Sequence, residues 1–165
     1  MTANKPTIHL SSNPSRMDEA VRIRVSGAPS NTWIIIQATM RDNMGSLWES
    51  FAEVLTDALG NCELSDQIPR SGTYACADAM GLIWSMQWKS NDPSARTPRA
   101  PLATKLTVMA DGEMLAEATW VRYLLSPDVA RLSVRENGLV GTLYVPKENG
   151  PHPAVVMLGG SEGGA

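Results

Sequence analysis

A chain of 165 residues with 43% hydrophobic and 19% charged residues has the composition of a folded globular protein. Its net charge of -3 and scattered basic residues exclude the electrostatic footprint of a nucleic-acid-binding protein. The amino terminus carries no apolar signal region, and no window approaches the ~20 apolar residues of a membrane span. We therefore expect a cytoplasmic protein with no membrane partner.

Cysteine and histidine usage predicts neither a disulfide nor a metal site. Cys62 and Cys76 lack the C-x-x-C spacing, and a cytosolic compartment disfavours a disulfide, so we expect free and mostly buried thiols. A zinc site needs four ligands, and His9 and His152 lie far from either cysteine in the sequence. No metal and no cofactor is predicted.

The first part of the chain reads as short strands separated by turns. PTIHL is followed by a Ser/Asn/Pro turn, and Val21, Ile23 and Val25 then alternate with arginines, the period of a half-buried strand. TWIIIQATMR predicts a third strand that ends in the turn DNMGS. The next segment, LWESFAEVL, also fits helical spacing, but we favour a strand because it continues a regular meander.

The middle of the chain continues the strand pattern. MGLIWSMQW predicts another strand, followed by a proline-rich loop. LATKLTVMADGEMLAEATW predicts a β-hairpin, because Asp111-Gly112 is the dipeptide that a type I′ turn requires. Seven or so strands with a turn every 8 to 12 residues indicate an immunoglobulin-like antiparallel β-sandwich, which we assign to residues 1–126.

Residues 127–165 have a different character. Two strands are predicted around an Asn137-Gly138 turn, and the apolar run PAVVML then predicts a buried strand that opens onto GGSEGG. A continuous apolar strand that ends in a glycine-rich turn is typical of an α/β sheet covered on both faces.

The sequence GGSEG fits G-x-S-x-G, the nucleophile elbow of serine hydrolases, with Ser161 as the candidate nucleophile. A nucleophilic serine needs a histidine base within hydrogen-bonding distance and an acid that orients it. His152 begins the predicted PAVVML strand, roughly 20 Å or more from Ser161 at ~3.3 Å per residue. His9 lies on the first predicted strand. No histidine of the chain is therefore expected to reach Ser161.

Several stretches resemble the acyl-CoA thioesterases and bile acid-CoA:amino acid N-acyltransferases. They are RDNMGSLWES, SGTYACADAMGLIWSM, VRYLLSPDVARLSVRENGLVGTLYVP and PHPAVVMLGGSEGG, in the order of that family. The resemblance implies an immunoglobulin-like sandwich followed by a truncated α/β-hydrolase domain, here its first three strands and oxyanion loop at residues 127–165. It also implies an acyl-CoA substrate, cleaved or transferred through a Cys or Ser nucleophile with His and Asp.

In that fold the glycine-rich loop after the third strand donates backbone N–H groups to the oxyanion, and the nucleophile elbow follows the fifth strand. We therefore favour Gly160 and Ser161 as oxyanion-loop residues over Ser161 as the nucleophile. Nucleophile, acid and base would lie beyond residue 165, so the chain alone is expected to be inactive. Glu162 is interpreted as a solvated carboxylate at a helix start, rather than as an acid near the reacting centre.

Two groups of residues have both a functional and a structural interpretation. Met80, Trp84 and Trp88 either border the acyl or CoA site or, as we prefer, form core or domain-interface packing. Three basic residues either meet CoA phosphates or, as we prefer, form a loosely basic loop: Arg96, Arg99 and Lys105.

Rival functions also remain. The chain is either part of an acyl-CoA thioesterase or part of an N-acyltransferase, in which an amine replaces water. A rival of another class is a stand-alone β-sandwich that binds a partner. The apolar edge of the PAVVML strand predicts a homodimer if it is left unpaired.

Overall fold

The computed structural model describes residues 5–96 and 101–158, which form mainly β-structure in antiparallel sheets. The strands are β1 (Thr7–Leu10), β2 (Ser15–Arg16), β3 (Ile23–Ser26), β4 (Trp33–Arg41), β5 (Ser46–Leu55), β6 (Cys62–Glu63), β7 (Ser71–Gly72), β8 (Gln87–Asn91), β9 (Leu102–Ala110), β10 (Glu113–Tyr123), β11 (Val129–Glu136) and β12 (Leu139–Pro146). Among residues 5–96 and 101–158, helical structure is limited to α1 (Gly81–Trp84) and two 3-10 turns, Leu64–Asp66 and Pro93–Ala95. Within the described ranges, no helix is long and apolar enough to cross a membrane.

The chain divides into two compact units, Met1–Leu124 and Leu125–Ala165. In the first unit, the smaller sheet has the strand order β1-β3-β6. The larger sheet has the order β2-β10-β9-β4-β5-β7, and β8 also pairs with β5. Neighbouring strands are antiparallel except for the parallel pair of β2 and β10.

Period-two alternation explains how the two sheets of the first unit share one core. On β3, Ile23 and Val25 are fully buried while Arg24 is exposed, as the sequence predicts. Alternate residues of the larger sheet are buried against them: Ile34, Ile36, Val54, Leu106, Val108 and Trp120. Each fully buried aliphatic or aromatic side chain stabilises the fold by about 1.5–3 kcal/mol relative to an exposed one, so this layer holds the two sheets together.

The turns that the sequence predicts are confirmed. Asp111 and Gly112 have φ values of 49° and 83°, the positive pair that a type I′ hairpin requires between β9 and β10. The turn after β4 is held by Asp42, whose Oδ1 accepts the backbone N–H groups of Met44 and Ser46 at 2.9 Å each. The following segment is a strand, β5, which confirms the strand interpretation over the helical one.

The strand predicted over MGLIWSMQW is only partly present. Gly81–Trp84 is a helical turn, and a strand begins at Gln87. The N–H groups of Ile83 and Trp84 bond to the carbonyl of Met80, so the backbone closes on itself instead of pairing with a neighbour. This turn places Leu82 in the core, a tertiary contact that outweighs the local strand pattern.

The second unit contains the hairpin of β11 and β12. Asn137 and Gly138 have φ values of 50° and 81°, which confirms the predicted turn. The expectation of a third, buried strand over PAVVML is wrong in this structure, because Pro153–Leu158 is neither in a strand nor buried. A strand needs a neighbour for its backbone hydrogen bonds, and no strand among the described residues pairs with this segment.

Candidate functional site

The residues predicted to form the oxyanion loop, Gly160 and Ser161, lie outside the described residues, and so does Glu162. Their roles therefore stay predictions. The candidate functional groups that the structure does describe are the two histidines, the two cysteines and the residues around α1.

The two histidines occupy separate surface positions. His9 on β1 hydrogen-bonds through Nε2 to Ser26 Oγ on β3 at 2.7 Å, at an exposed site. Among the described residues no acid bonds to His9, so this serine–histidine pair lacks the third group of a triad. His152 lies outside any strand, and its Nε2 is 3.0 Å from the carbonyl oxygen of Glu148.

Trp84, the last residue of α1, is exposed yet held in a fixed orientation. Its indole Nε1 donates a hydrogen bond to Asp78 Oδ2 at 3.1 Å. The other carboxylate oxygen of Asp78 accepts the N–H of Met80 at 2.7 Å, just before the helix. The ring of Trp84 meets the ring of Tyr74 edge to face, with the centroids 5.7 Å apart. A polar and an aromatic contact together fix the indole.

Tyr74 is the buried residue against which the ring of Trp84 packs. Its hydroxyl has no hydrogen-bond partner among the described residues, and burial, helped by the charge of Asp78, raises its pKa to about 12. Gly81 lies against the ring, and a Cβ at this position would be 2.2 Å from Cε2 of Tyr74. Only glycine lets α1 approach Tyr74 this closely.

A second exposed indole follows on β8. Trp88 lies opposite Trp48 of β5 in the strand register, and Trp48 Nε1 donates to Asp42 Oδ2 at 2.9 Å. Trp84 and Trp88 are 56% and 58% exposed, and we call these two residues the tryptophan patch. The core interpretation of Trp84 and Trp88 is wrong, and their interpretation as domain-interface residues stays a prediction. Met80 is half-buried and packs against the core.

Of the three basic residues considered for CoA phosphates, the two that the structure describes, Arg96 and Lys105, are not grouped into a positively charged cluster. Lys105 on β9 makes an ion pair with Glu117 of β10, with 2.8 Å between Nζ and Oε2. Arg96 is exposed, and Arg99 lies outside the described residues. The structure therefore brings together no phosphate-binding group from these three residues in the part of the chain that it describes.

The two cysteines differ in accessibility. Cys62 is buried, as predicted, and desolvation raises its pKa to about 11. Cys76 is exposed, which contradicts the expectation of a buried thiol. Across the described ranges no three His, Cys, Asp or Glu side chains are grouped so that they could hold a metal ion.

Comparison with known proteins assigns the chain to a family. A family model described as "Acyl-CoA thioester hydrolase/BAAT N-terminal region" matches residues 18–136. The chain belongs to this family. The matched range includes Tyr74, Gly81 and the tryptophan patch, and it ends before Gly160 and Ser161.

Curated relatives support the same assignment. Human acyl-coenzyme A thioesterase 2, mitochondrial, is 34% identical over 156 residues, which cover 89% of this chain and 32% of the relative. Human acyl-coenzyme A thioesterase 1 is also 34% identical over 156 residues, which cover 89% of this chain and 37% of the relative. Mouse acyl-coenzyme A thioesterase 1 is 30% identical over 163 residues, which cover 93% of this chain and 38% of the relative. The chain thus spans about a third of the length of the relatives it matches.

Proposed function

We propose that this chain is the amino-terminal part of an acyl-CoA thioesterase, an enzyme that hydrolyses acyl-CoA to a free fatty acid and CoA. The observation that carries the proposal is the family match over residues 18–136.

The proposed domain arrangement follows from the resemblance. Residues 1–126 form the immunoglobulin-like sandwich, which is supported by two sheets that share one core. Residues 127–165 begin the α/β-hydrolase domain, supported by the hairpin of β11 and β12. A cytoplasmic location remains part of the proposal.

The chemical role we propose lies in the loop that contains Gly160 and Ser161. Attack on a thioester places negative charge on the carbonyl oxygen, and backbone N–H groups in a glycine-rich loop can approach that oxygen closely. One such donor is typically worth about 10²-fold or more in rate. Nucleophile, acid and base come from parts of a full-length enzyme that this chain does not contain, so the chain alone does not turn over substrate.

The tryptophan patch is proposed to contact the nucleophile-bearing part of such an enzyme. Tryptophan is enriched among the residues that carry the binding energy at the centre of protein interfaces. Trp84 is the stronger candidate because Asp78 and Tyr74 already fix its orientation, which lowers the entropic cost of binding.

A chimera tests this function. Residues of human acyl-coenzyme A thioesterase 1 that match this chain are replaced by the chain, and release of CoA thiol from a long-chain acyl-CoA is measured. We expect a folded chimera that hydrolyses the substrate. Trp84→Ala should lower kcat/KM or the stability of the chimera, whereas Leu59→Ala, at an 80% exposed position outside the patch, should change neither.

Two outcomes count against the proposal. A chimera that is folded by circular dichroism but releases no CoA would contradict a thioesterase role. The family description also names BAAT, so an amino-acid acceptor is included in a second assay. Because the human part of the chimera supplies the catalytic residues, this second assay uses the full-length protein that contains the chain, and formation of an N-acyl amino acid in place of free acid there would identify the chain as part of an N-acyltransferase.

A further inference from the structure

Arg122 on β10 carries a positive charge into the interior of the first unit. The residue is 1% exposed, and its Nε has no hydrogen-bond partner among the described residues. No acidic side chain of the described ranges forms an ion pair with it. The guanidinium instead lies 5.0 Å from the ring centroid of Trp120. A buried guanidinium in these surroundings lacks a strong oxygen acceptor for its N–H groups.

The hydrogen bonds that Arg122 does make go to two acceptors on neighbouring strands. Its Nη2 donates to Met40 Sδ on β4 and to Thr104 Oγ1 on β9, each at 3.3 Å. Met40 and Thr104 lie directly opposite each other in the strand register, so both acceptors meet the guanidinium at one place on the sheet. A thioether sulfur is a weak acceptor, and 3.3 Å is long for a bond from nitrogen to oxygen. The charge of Arg122 is therefore poorly compensated.

The side chain of Met40 extends from this buried charge toward the surface. It lies on the same face of β4 as three buried residues: Ile34, Ile36 and Ala38. Met40 itself is half-buried, one residue before the strand ends. A small, uncharged oxidant in solution can therefore reach the side chain whose sulfur bonds to Arg122.

We propose that Met40 is a modification site for a hydroperoxide, and that the sulfoxide oxygen becomes the acceptor that Arg122 lacks. The peroxide transfers one oxygen atom to Sδ: an S–O bond forms, the O–O bond breaks, and water or an alcohol leaves. The sulfur is oxidised by two electrons, and the peroxide is reduced by the same two. A thiol-dependent sulfoxide reductase reverses the step, releasing the oxygen as water while two thiols become a disulfide.

The sulfoxide changes the kind of acceptor that meets the guanidinium. Its oxygen carries a partial negative charge, and a bond from an ionised donor to such an oxygen is stronger than one to a neutral thioether. Oxidation of a methionine ordinarily disrupts a core, because it places a polar group among apolar ones. At Met40 the effect is reversed, since the group beside the sulfur is an uncompensated charge. Because Met40 is flexible and half-buried, it can shift toward solvent to make room for the oxygen.

Other methionines provide comparisons within the same chain. Met80 Sδ accepts the backbone N–H of Val21 at 3.3 Å, a neutral donor, and Met80 packs against the core. Met44 and Met114 are 52% and 59% exposed. Of the methionines that the structure describes, only Met40 bonds through its sulfur to a charged group. Oxidation should therefore destabilise the fold at Met80 and leave it almost unchanged at Met114.

Access to Met40 is tested by treating the native 165-residue chain with graded hydrogen peroxide and mapping the oxidised peptides by mass spectrometry. Met40 should take up one oxygen atom over the range of peroxide concentrations that oxidises Met44 and Met114. If Met40 stays unmodified after both exposed methionines are fully oxidised, the proposal is wrong.

The bond to Arg122 is tested by the stability of the oxidised molecules. The partly oxidised wild-type chain is held in urea at its unfolding midpoint, and a short pulse of protease removes the unfolded molecules. Met40 sulfoxide should raise the folding equilibrium constant about fivefold or more, as a gained bond to a charged group does, and should be enriched among the survivors. Met80 sulfoxide should be depleted, and Met114 sulfoxide should be neither. Met40 sulfoxide that is depleted or not enriched would overturn the proposal.

Arg122→Leu assigns the effect to the guanidinium. Without that donor, the enrichment of Met40 sulfoxide should disappear or turn into depletion. Arg24→Leu, the same change at an exposed position of β3, should leave the enrichment intact. Enrichment that persists in Arg122→Leu would contradict the proposed bond. The wild-type measurement does not depend on the folding of either variant.

Discussion

Gly81 lies so close to Tyr74 that a Cβ on Gly81 would stand 2.2 Å from Cε2 and 2.5 Å from Cζ of the tyrosine ring. The ring is buried and cannot swing into solvent without opening the core. This contact fixes the position of α1, and with it the indole of Trp84. The orientation of Trp84 therefore depends on the absence of a side chain at Gly81.

Gly81→Ala is expected to destabilise the first unit by about 1–3 kcal/mol, the usual cost of overpacking a filled core. Urea unfolding followed by circular dichroism measures the change. Gly141→Ala is the matched control, because no described atom lies within 4 Å of its Cβ position, and its effect should stay within about 0.5 kcal/mol. Equal stability of the two variants would contradict the contact.

Arg122 is expected to be replaceable by methionine with a gain in stability of about 1 kcal/mol or more. Its side chain is fully buried, its Nε has no partner among the described residues, and burial lowers its pKa. The guanidinium lies 5.0 Å from the ring centroid of Trp120 but has no acidic partner among the described residues. Replacing such a buried charge by an apolar side chain of similar size removes the desolvation cost. Chemical unfolding of Arg122→Met is compared with Arg24→Met, at an exposed position of β3. A loss of stability in Arg122→Met would show that the bond to Thr104 Oγ1 at 3.3 Å outweighs the desolvation.

The two thiols should react at very different rates. The thiolate is the nucleophile, and burial raises the pKa of Cys62 to about 11, so little of it is ionised at pH 8. Cys76 is exposed. Titration of the native chain with a thiol reagent should therefore modify one cysteine quickly, and denaturant should release the second. In Cys76→Ser the fast phase should disappear; a fast phase that persists would mean that Cys62 is accessible.

Protonation of the Asp42 carboxylate in acid should lower the stability of the first unit. The hydrogen bond from Trp48 lowers the pKa of its carboxyl most, with help from the backbone N–H groups of Ser46 and Met44 and with desolvation acting in opposition. A depressed carboxyl pKa adds stability above its unfolded value of about 3.9, and this stability is lost as the pH falls through the folded pKa. NMR titration should show the Asp42 pKa moving up toward its ordinary value in Trp48→Phe. An unchanged titration would remove Trp48 as the cause.

Local patterns predict part of this fold and no more. The alternation around Ile23 and the Asp111-Gly112 dipeptide predict a strand and a turn correctly, because both depend on neighbours in sequence. The helical turn of Gly81–Trp84 was missed, since it depends on Tyr74 and on the burial of Leu82. The aspartate in DAM, just before the turn, carries a usable signal, because Asp78 accepts the backbone N–H of Met80 there.

The sequence identified the segment around Trp84 and Trp88 as a candidate site, but it did not predict that these two side chains are exposed. Trp84 and Trp88 were identified by their residue type, yet the apolar run MGLIWSMQW placed both in one strand, and residue type favoured core or domain-interface positions over the exposed positions observed. The exposure of Trp33 and Ile35 was not anticipated, because a continuous apolar run does not show which of its residues face solvent. The structure covers only one face of that strand.

The central claim is that this chain belongs to a thioesterase but does not carry the nucleophile. Release of CoA thiol from acyl-CoA by the isolated 165-residue chain tests it most directly, with Ser161→Ala measured in parallel. The account predicts no release above the buffer rate for either protein. Turnover by the wild-type chain that is abolished in Ser161→Ala would contradict it and make Ser161 the nucleophile.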